Sequence, residues 1–167
     1  MSERAPLLRG TGAAPAPSVG LLDDTNRAII AELQSDGRRP YASIGKSVGL
    51  SEAAVRSRVQ RLTEAGVVQI VGVTDPLQLG FARQAMVGLR VAGDAEPVAT
   101  ALAALEEVDY VVVTAGSFDL LVEVVCRDDD HLLDVVNRRI RAMDDVASAE
   151  IFVYLKLAKQ TYAWGVR

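Results

Sequence analysis

A three-residue turn, Gly49-Leu50-Ser51, joins two segments with helical apolar spacing and constrains the fold of the first third of the chain more than any other feature. The segment before it, 43–48, predicts a short helix because its branched apolar residues lie four positions apart. After it, Ser51 is a suitable N-cap for a longer helix that runs to about residue 65, where Gly66 ends it. A glycine in so short a turn supplies a backbone conformation with positive φ.

Another helix is predicted upstream of this pair. Asp23 is its expected N-cap, an apolar stripe runs to about residue 35, and Asp36-Gly37 ends it before Pro40 interrupts the chain. Three helices with a tight turn between the last two are typical of a helix-turn-helix. A generic three-helix bundle has the same spacing, so the pattern alone leaves both interpretations open. In each, the core is formed by Ile29, Ile30, Leu33, Ile44, Val48, Val55, Val59 and Leu62.

The rest of the chain alternates between strand and helix patterns. Its β-branched residues predict a linking strand at 67–74, which Asp75-Pro76 ends before a connector at 77–81. Beyond residue 85 the predicted order is strand, helix, strand, strand, helix, strand, which is the ferredoxin-like βαββαβ arrangement. The strands are expected at 85–91, 110–115, 120–126 and 149–155, with helices opened by Pro97 and by Asp128-Asp129-Asp130.

These blocks predict an α+β chain with an N-terminal helix-turn-helix (winged-helix-like) domain and a C-terminal ferredoxin-like domain. One face of the sheet is covered by the two helices, and the other carries Val and Leu residues that a second subunit is expected to bury. The predicted divisions are a flexible tail at 1–20, a helix-turn-helix DNA-binding domain at 21–66, a linking strand and connector at 67–84, a dimerisation and effector domain at 85–157, and a C-terminal extension at 158–167.

The net charge of the chain is -4, which by itself argues against a nucleic-acid partner. The acidity lies in the second block, because residues 21–75 carry seven Lys/Arg and seven Asp/Glu, whereas residues 76–167 carry nine and fourteen. A phosphate backbone responds to a local basic face rather than to the total charge. The single cysteine, Cys126, excludes a disulfide within the chain, and no apolar run approaches the roughly 18 residues of a membrane span. We therefore expect a cytoplasmic protein.

The last helix of the predicted helix-turn-helix presents polar side chains opposite its apolar stripe. Arg56 suits a bidentate contact to guanine edges, and Gln60 suits a contact to adenine. Glu52 suits a contact to cytosine, a favourable interaction with the helix dipole, or an ion pair with a neighbouring cation. Arg58 and Arg61 flank this face and are expected to hold a phosphate or a nearby carboxylate. The predicted DNA-binding residues are Lys46, Ser51, Ala53, Arg56, Ser57, Arg58, Gln60 and Arg61.

Several stretches of the two blocks together match the pattern of one known family. They are Leu22-Asp23 with Ile29-Ile30, Ile44-Gly45-Lys46-Ser47-Val48-Gly49-Leu50-Ser51, Val55, Arg58-Val59, Leu62, Gly66-Val67-Val68 and Val113-Thr114-Ala115-Gly116-Ser117-Phe118-Asp119-Leu120. Through them the chain resembles the Lrp/AsnC family of bacterial and archaeal regulators, also called feast/famine regulators, over about residues 21–162. The resemblance implies sequence-specific binding to double-stranded DNA, transcriptional regulation, a homodimer formed through the C-terminal domain, and further assembly up to an octamer.

The resemblance also implies an amino-acid effector, which many members bind near the turn between the second and third strands of the C-terminal domain. In this chain that turn is Gly116, Ser117, Phe118 and Asp119. A carboxylate suits an α-ammonium group, and glycine with backbone amides suits an α-carboxylate. Members commonly have Gly-Asp-Tyr-Asp at this turn, so this chain lacks one carboxylate and one hydroxyl. The other interpretation is an ordinary hairpin turn built by glycine and aspartate.

Two other functions are compatible with the same architecture. A nucleoid-organising protein would use the same helices to wrap DNA with little sequence preference. Sirohaem decarboxylases resemble the family but use histidines and basic residues around a tetrapyrrole, whereas the only histidine of this chain is His131, beside three aspartates. The sequence has no nucleophile–base spacing, metal-ligand cluster or phosphate loop, so we expect neither an enzyme nor a cofactor or metal.

Overall fold

The computed structural model describes residues 21–161, which divide into two compact units. The first unit contains residues 21–72 together with 160–161, and the second contains residues 73–159. The tail predicted at 1–20 and the end of the predicted extension, 162–167, lie outside the described residues.

The first unit contains three helices, as the sequence predicts: α1 (Asp24–Ser35), α2 (Tyr41–Val48) and α3 (Glu52–Glu64). Both predicted N-caps are confirmed. The Asp23 carboxylate accepts a hydrogen bond from the Asn26 amide (2.6 Å), and the Ser51 hydroxyl accepts one from the Ala54 amide (3.2 Å). Helix α2 begins two residues earlier than predicted, directly after Pro40, because the fixed φ of proline suits the residue that leads into a helix.

The turn between α2 and α3 requires glycine at two positions. Gly49 has a φ of 71°, in the left-handed region, which confirms the prediction made from its place in the turn. Gly45, inside α2, faces the backbone of the turn, and a Cβ atom there would lie 2.5 Å from the Leu50 carbonyl oxygen. The turn therefore folds back on α2 so closely that no side chain fits at position 45.

The buried sides of the three helices form one apolar core, and its members match the predicted set. Ile29, Ile44 and Val55 have no exposed surface. Four further apolar residues, Tyr41, Val48, Leu50 and Val68, are partly buried and pack against this core. Burial of the apolar stripe of α3 fixes which side of this helix is turned inward and leaves its polar side in solvent.

Arg58 ties α3 to the start of α1. Its guanidinium donates to the Asp23 carboxylate (2.7 Å) and to the side-chain oxygen of Asn26 (3.0 Å), and Asn26 in turn donates to the Leu21 carbonyl (2.6 Å). The hydrogen bonds from Arg58 and from the Asn26 amide lower the pKa of the Asp23 carboxyl below its usual value. One carboxylate therefore caps α1 and anchors α3.

The linking strand predicted at 67–74 is wrong, because the chain has no strand there. The amides of Val67 and Val68 donate instead to the Leu62 carbonyl, at 2.9 and 3.3 Å, and so finish α3. A strand requires a neighbouring strand to take up its backbone groups, and no residue within 21–161 provides one for this segment. The three helices consequently carry no β-wing within residues 21–72. The β-branched residues of this segment favour an extended backbone. An extended segment still needs a neighbouring strand to pair with before it forms a β-strand.

The second unit confirms the predicted ferredoxin-like βαββαβ order. Its strands lie in the order β2-β3-β1-β4, and every neighbouring pair is antiparallel. A short 3-10 turn, Pro76–Leu79, precedes the sheet, and α5 continues as a π-helical segment, Val135–Ile140. The elements are β1 (Arg83–Val91), α4 (Ala95–Ala103), β2 (Val108–Val113), β3 (Leu120–Cys126), α5 (Asp129–Asp134) and β4 (Val146–Val153).

Several helices and strands of the second unit begin or end at residues other than those predicted, whereas β3 has the predicted bounds. Helix α4 begins at Ala95 rather than at Pro97, because the Asp94 carboxylate caps it by accepting from the Glu96 amide (3.1 Å). The predicted acidic start of α5 is confirmed, since the Asp128 carboxylate accepts from the His131 amide (2.7 Å).

The strand register separates a buried face from an open face. Val87 of β1 lies between Val122 of β3 and Ile151 of β4, and these three side chains point to the helices. The helices cover that face with Val98 and Leu102 of α4 and with Leu132, Val135, Val136 and Ile140 of the last helical segment.

The opposite face of the sheet has a mixed character within one chain. The predicted Val and Leu residues are present as the pair Val112 and Leu121. Polar side chains interrupt them, because Glu123 of β3 lies on the same face and accepts a hydrogen bond from Gln84 (2.8 Å). The prediction that this face carries Val and Leu residues is confirmed, but polar side chains lie among them. Met86, Arg90, Tyr110, Glu150 and Phe152 complete it.

Replacing Gly45 tests the closeness of the turn between α2 and α3. We expect Gly45→Ala to lower the free energy of unfolding of the first unit by about 3 kcal/mol, because the added methyl meets the Leu50 carbonyl. Urea unfolding of the full chain, followed by circular dichroism, measures the change. Gly72→Ala is the control, since its methyl would have no atom within 4 Å. Equal stability of the two variants would contradict the tight turn.

Replacing Asp23 tests the tie between α1 and α3. Asn keeps an oxygen for the Asn26 amide but removes the charge that faces Arg58, so we expect Asp23→Asn to melt below the wild type at neutral pH. The folded-state pKa of Asp23 is lowered, so its contribution is present at neutral pH and is lost as the pH falls through that pKa. The difference in melting temperature should therefore begin to shrink below about pH 4 and vanish only when the pH lies below the lowered pKa of Asp23. Asp24→Asn, one residue further, is the control, and a difference that is independent of pH would argue against the ion pair.

Candidate DNA interface and effector turn

The exposed side of α3 carries the four side chains that the sequence places there. Ala53, Arg56, Ser57 and Gln60 are all exposed, whereas the side toward the core is fully buried. An α-helix with one polar side free of other contacts has the shape that enters a DNA major groove. The structure therefore brings the predicted base-reading residues together on one surface.

Arg56 is the most constrained side chain of this surface, although it is exposed. Its guanidinium donates to the Glu52 carboxylate one helical turn earlier (2.8 Å) and lies over the ring of Tyr41, 5.3 Å from the ring centroid. Of the interpretations predicted for Glu52, the ion pair is present, and the first-turn position that favours the helix dipole is present as well. Sequence reasoning missed Tyr41. Its position directly after Pro40, at the first turn of α2, was the available signal.

Gln60 also has a partner within its own helix. Its amide donates to the Glu64 carboxylate (2.8 Å), and both groups are exposed. Such a contact between solvated groups is weak, so a base edge can replace it. Gln60 and Arg56 are thus both available to a groove, each after releasing a carboxylate.

The other predicted contacts separate into exposed cations and structural groups. Lys46 lies in the last turn of α2 and Arg61 in the last turn of α3, and both are exposed. The Ser51 hydroxyl is used in capping α3, so the free amides of the first turn, rather than this hydroxyl, are left for a phosphate. Arg58 holds the carboxylate of Asp23 and is only 25% exposed, so of its two predicted partners the structure contains the carboxylate.

The predicted effector turn is braced by its own aspartate. The Asp119 carboxylate accepts a hydrogen bond from the Val91 amide (2.8 Å), at the point where the register between β1 and β4 shifts. Its amide donates to the Leu89 carbonyl, and its carbonyl accepts from the Thr114 amide, both at 2.8 Å. Asp119 therefore satisfies an amide of β1 that lies beyond the last residue pair of the β1–β3 ladder, Leu89 with Leu120.

Phe118 closes the same turn against the sheet. Its ring lies on Gly88 of β1, where a Cβ atom would come within 2.8 Å of the ring, and it meets Phe152 of β4 edge to face at 6.0 Å. Sequence reasoning missed Gly88, although a glycine inside an apolar strand is a signal for close approach. Gly116 and Ser117 remain exposed at the tip. The turn thus offers a rigid tip with backbone amides and one carboxylate nearby.

His131 belongs to a polar cluster beside β3 and takes no part in either site. Its ring faces Glu107 (3.2 Å), and Arg139 also donates to that carboxylate (2.6 Å). Burial acts to raise the pKa of Glu107, but its own backbone amide, His131 and Arg139 outweigh burial and lower it. Burial raises the pKa of the neighbouring Cys126 thiol to about 11, so a reactive thiolate is disfavoured.

Neither a metal site nor a membrane span is found in the part of the chain that the structure describes. Residues 21–161 contain no group of three or more His, Cys, Asp or Glu side chains arranged to hold a metal ion. Within the same range, no helix combines the length and the apolar composition needed to cross a membrane.

Solved structures share this architecture. The structure of Escherichia coli AsnC superposes with a TM-score of 0.74 at 27% identity, covering 83% of this chain and 95% of that one. A transcriptional regulator of Neisseria meningitidis, solved as a complex with L-Met, has the same fold, with a TM-score of 0.79 at 24% identity over 86% of this chain and 96% of that one.

Sequence comparisons give the same result for both units. The model of the AsnC-type helix-turn-helix domain matches residues 22–63, and that of a C-terminal dimeric alpha+beta barrel domain matches residues 81–167, more than half of the chain. The HTH-type transcriptional regulator FL11 of Pyrococcus furiosus is 31% identical over 144 residues, which are 85% of this chain and 95% of that protein. The chain belongs to the Lrp/AsnC family of helix-turn-helix transcriptional regulators.

Proposed function

We propose that this regulator reads its DNA sequence through the exposed side of α3, with Arg56 and Gln60 contacting base edges in the major groove. The observation that carries the proposal is the placement of these polar side chains opposite a fully buried stripe, on the last helix of a helix-turn-helix. Arg56 supplies the bidentate donor pair that distinguishes guanine, and Gln60 supplies the donor and acceptor that suit adenine. Ala53 lies about one turn before Arg56 and Ser57 lies between Arg56 and Gln60, and both small side chains allow close approach to the bases.

Phosphate contacts are assigned to groups around this surface. Lys46 and Arg61 are exposed cations on α2 and α3, and the amides at the start of α3 follow the Ser51 cap. Arg58 is assigned to the fold instead, since Asp23 and Asn26 already occupy its guanidinium. The proposed DNA-binding domain spans residues 21–66, as the helix pattern predicts.

The C-terminal domain, proposed at 85–157, pairs two subunits through the open face of its sheet. The matching family model is a dimeric domain, and the open face carries the aromatic and aliphatic residues that a second sheet can cover. A dimer presents two copies of α3, which suits a DNA site with two half-sites. Assembly beyond the dimer, up to an octamer, stays a prediction from the family resemblance.

The effector is proposed to be an amino acid that binds at the tip 116–119. Support comes from the exposed Gly116 and Ser117, from the nearby Asp119 carboxylate, and from the relative of Neisseria meningitidis, which was solved with L-Met. The α-carboxylate would meet backbone amides at the tip, and the α-ammonium group would meet Asp119. Because Asp119 also accepts from the Val91 amide, it keeps only part of its acceptor capacity for a ligand.

Substitution of Arg56 separates base reading from phosphate attraction. We expect Arg56→Ala to cost about 1–3 kcal/mol on a DNA fragment selected by the wild-type protein from a random pool, and to relax the preference at one base pair. Arg61→Ala is the matched control. It should weaken binding to all sequences alike and reduce the dependence of the logarithm of the binding constant on the logarithm of salt concentration by about one.

Titrations of both variants against the selected and a scrambled fragment, at several salt concentrations, measure these effects. Unchanged affinity and unchanged sequence preference in Arg56→Ala would contradict the proposed role. Wild-type binding that is equal on both fragments would point to a nucleoid-organising protein instead.

Substitution of Asp119 tests the effector turn. Asn keeps an oxygen for the Val91 amide while removing the charge, so we expect Asp119→Asn to fold normally and to lose any response to an amino acid. The measurement is the shift in melting temperature on addition of each of the twenty amino acids. Asp119→Ala removes the acceptor as well and should also destabilise the turn. A wild type that responds to none of them would contradict the proposed effector, and an unaltered response of Asp119→Asn would move the pocket elsewhere.

A further inference from the structure

The guanidinium of Arg56 contacts two side chains, the carboxylate of Glu52 and the aromatic ring of Tyr41, which have different effects on its binding to DNA. Glu52 binds it in an exposed ion pair, in which the side chains of Arg56 and Glu52 are 63% and 52% exposed. Tyr41 supports it with the face of its ring, 5.3 Å away. Both partners are replaceable by solvent, and neither buries the arginine. The charged end therefore stays accessible to DNA while its range of orientations is restricted.

The Tyr41 ring is a fixed platform rather than a mobile side chain. It is only partly exposed and packs against the core that α1, α2 and α3 share. The loop that precedes it is also held, because Arg39 pairs with Glu32 of α1, and the Arg38 amide donates to the Asp36 carboxylate (2.9 Å). A rigid platform reduces the conformational entropy that Arg56 loses when it binds a base.

Whereas Tyr41 favours binding of Arg56 to a base, Glu52 weakens the attraction of Arg56 to the phosphates of any DNA sequence. Its carboxylate neutralises Arg56, so the pair as a whole offers no net charge to a phosphate backbone. The carboxylate also lies in the first turn of α3, where it favours the helix but repels an approaching phosphate. Breaking the ion pair with Glu52 is favourable for Arg56 only where a bidentate acceptor, such as a guanine edge, replaces the carboxylate.

We propose that Tyr41 and Glu52 are specificity-determining residues of the DNA interface. Tyr41 is a positioning residue that orients Arg56 for a base edge, and Glu52 suppresses its use as a general phosphate contact. The inference rests on the proposed role of Arg56 as a base reader. It adds two residues to the interface: Tyr41, which the sequence did not predict as a contact, and Glu52, whose role the sequence left open.

The experiment compares full-length variants on two DNA fragments, the one selected by the wild type from a random pool and a scrambled version of it. We expect Tyr41→Leu to lose about two- to five-fold in affinity for the selected fragment and to keep its affinity for the scrambled one, as the loss of a cation–π contact predicts. Tyr41→Phe keeps the ring and should restore wild-type selectivity. Leucine preserves an apolar side chain against the core, and circular dichroism melting checks that the variant folds.

Glu52→Gln provides a second test that does not depend on the core, because position 52 is exposed. Release of Arg56 should tighten binding to the scrambled fragment, steepen the dependence on salt by about one unit, and so lower the selectivity for the selected fragment. The same substitution should have little effect on selectivity in an Arg56→Ala background, where no guanidinium is left to control.

The outcomes separate this inference from the function on which it rests. If Arg56→Ala itself leaves selectivity unchanged, the proposed base reading fails. If Arg56→Ala relaxes selectivity while Tyr41→Leu and Glu52→Gln behave as wild type, only the control of Arg56 by its neighbours is overturned. If Tyr41→Leu weakens both fragments equally, or acts equally in the Arg56→Ala background, Tyr41 has a structural role alone and its positioning role is rejected. Should Tyr41→Leu not fold, Tyr41→Met, which also fills the core without an aromatic ring, takes its place on the same two fragments, and Glu52→Gln with its double variant tests Glu52 independently.

Discussion

The close approach of the turn at Leu50 to Gly45 is the constraint on which the first unit depends. With no Cβ at position 45, the chain turns back within three residues and lays the buried stripe of α3 directly on α1 and α2. Burial of that stripe decides which side of α3 is left for DNA, since rotation of the helix would expose Val55 and bury Arg56. The orientation of the surface that we propose reads DNA is thus a consequence of core packing rather than of any contact on the surface itself.

A comparable constraint shapes the second unit at β1, which lies between β3 and β4. Asp119 accepts a hydrogen bond from the Val91 amide beyond the last residue pair of the β1–β3 ladder, and Phe118 fills the space that Gly88 leaves open. The turn between β2 and β3 is therefore coupled to β1 through both of these residues. A ligand bound at this tip would act on β1 through packed groups, without having to displace a whole element.

Local signals in the sequence were sufficient to predict most of the helices and strands. Contacts between residues far apart in the sequence could not be predicted from it. The caps at Asp23 and Ser51 and the glycine at the turn were predictable because each acts on residues within a few positions. The predicted strand at 67–74 failed because pairing depends on a partner that propensity does not supply. The contacts of Arg58 and Asp119 join residues 35 and 28 positions apart, so residue type alone left two interpretations of each open.

Arg56 and Arg58 show why charge counting describes this protein poorly. Both are arginines of α3 and both pair with a carboxylate, yet the side chain of Arg58 is 25% exposed and that of Arg56 is 63% exposed. The more buried arginine makes two bonds to groups at the start of α1, and releasing it would leave the buried side-chain oxygen of Asn26 without that donor. The exposed one exchanges its carboxylate for solvent or for DNA at little cost. An acidic chain can therefore bind a polyanion, because what counts is the number of cations that can change partners and the surface to which the fold confines them.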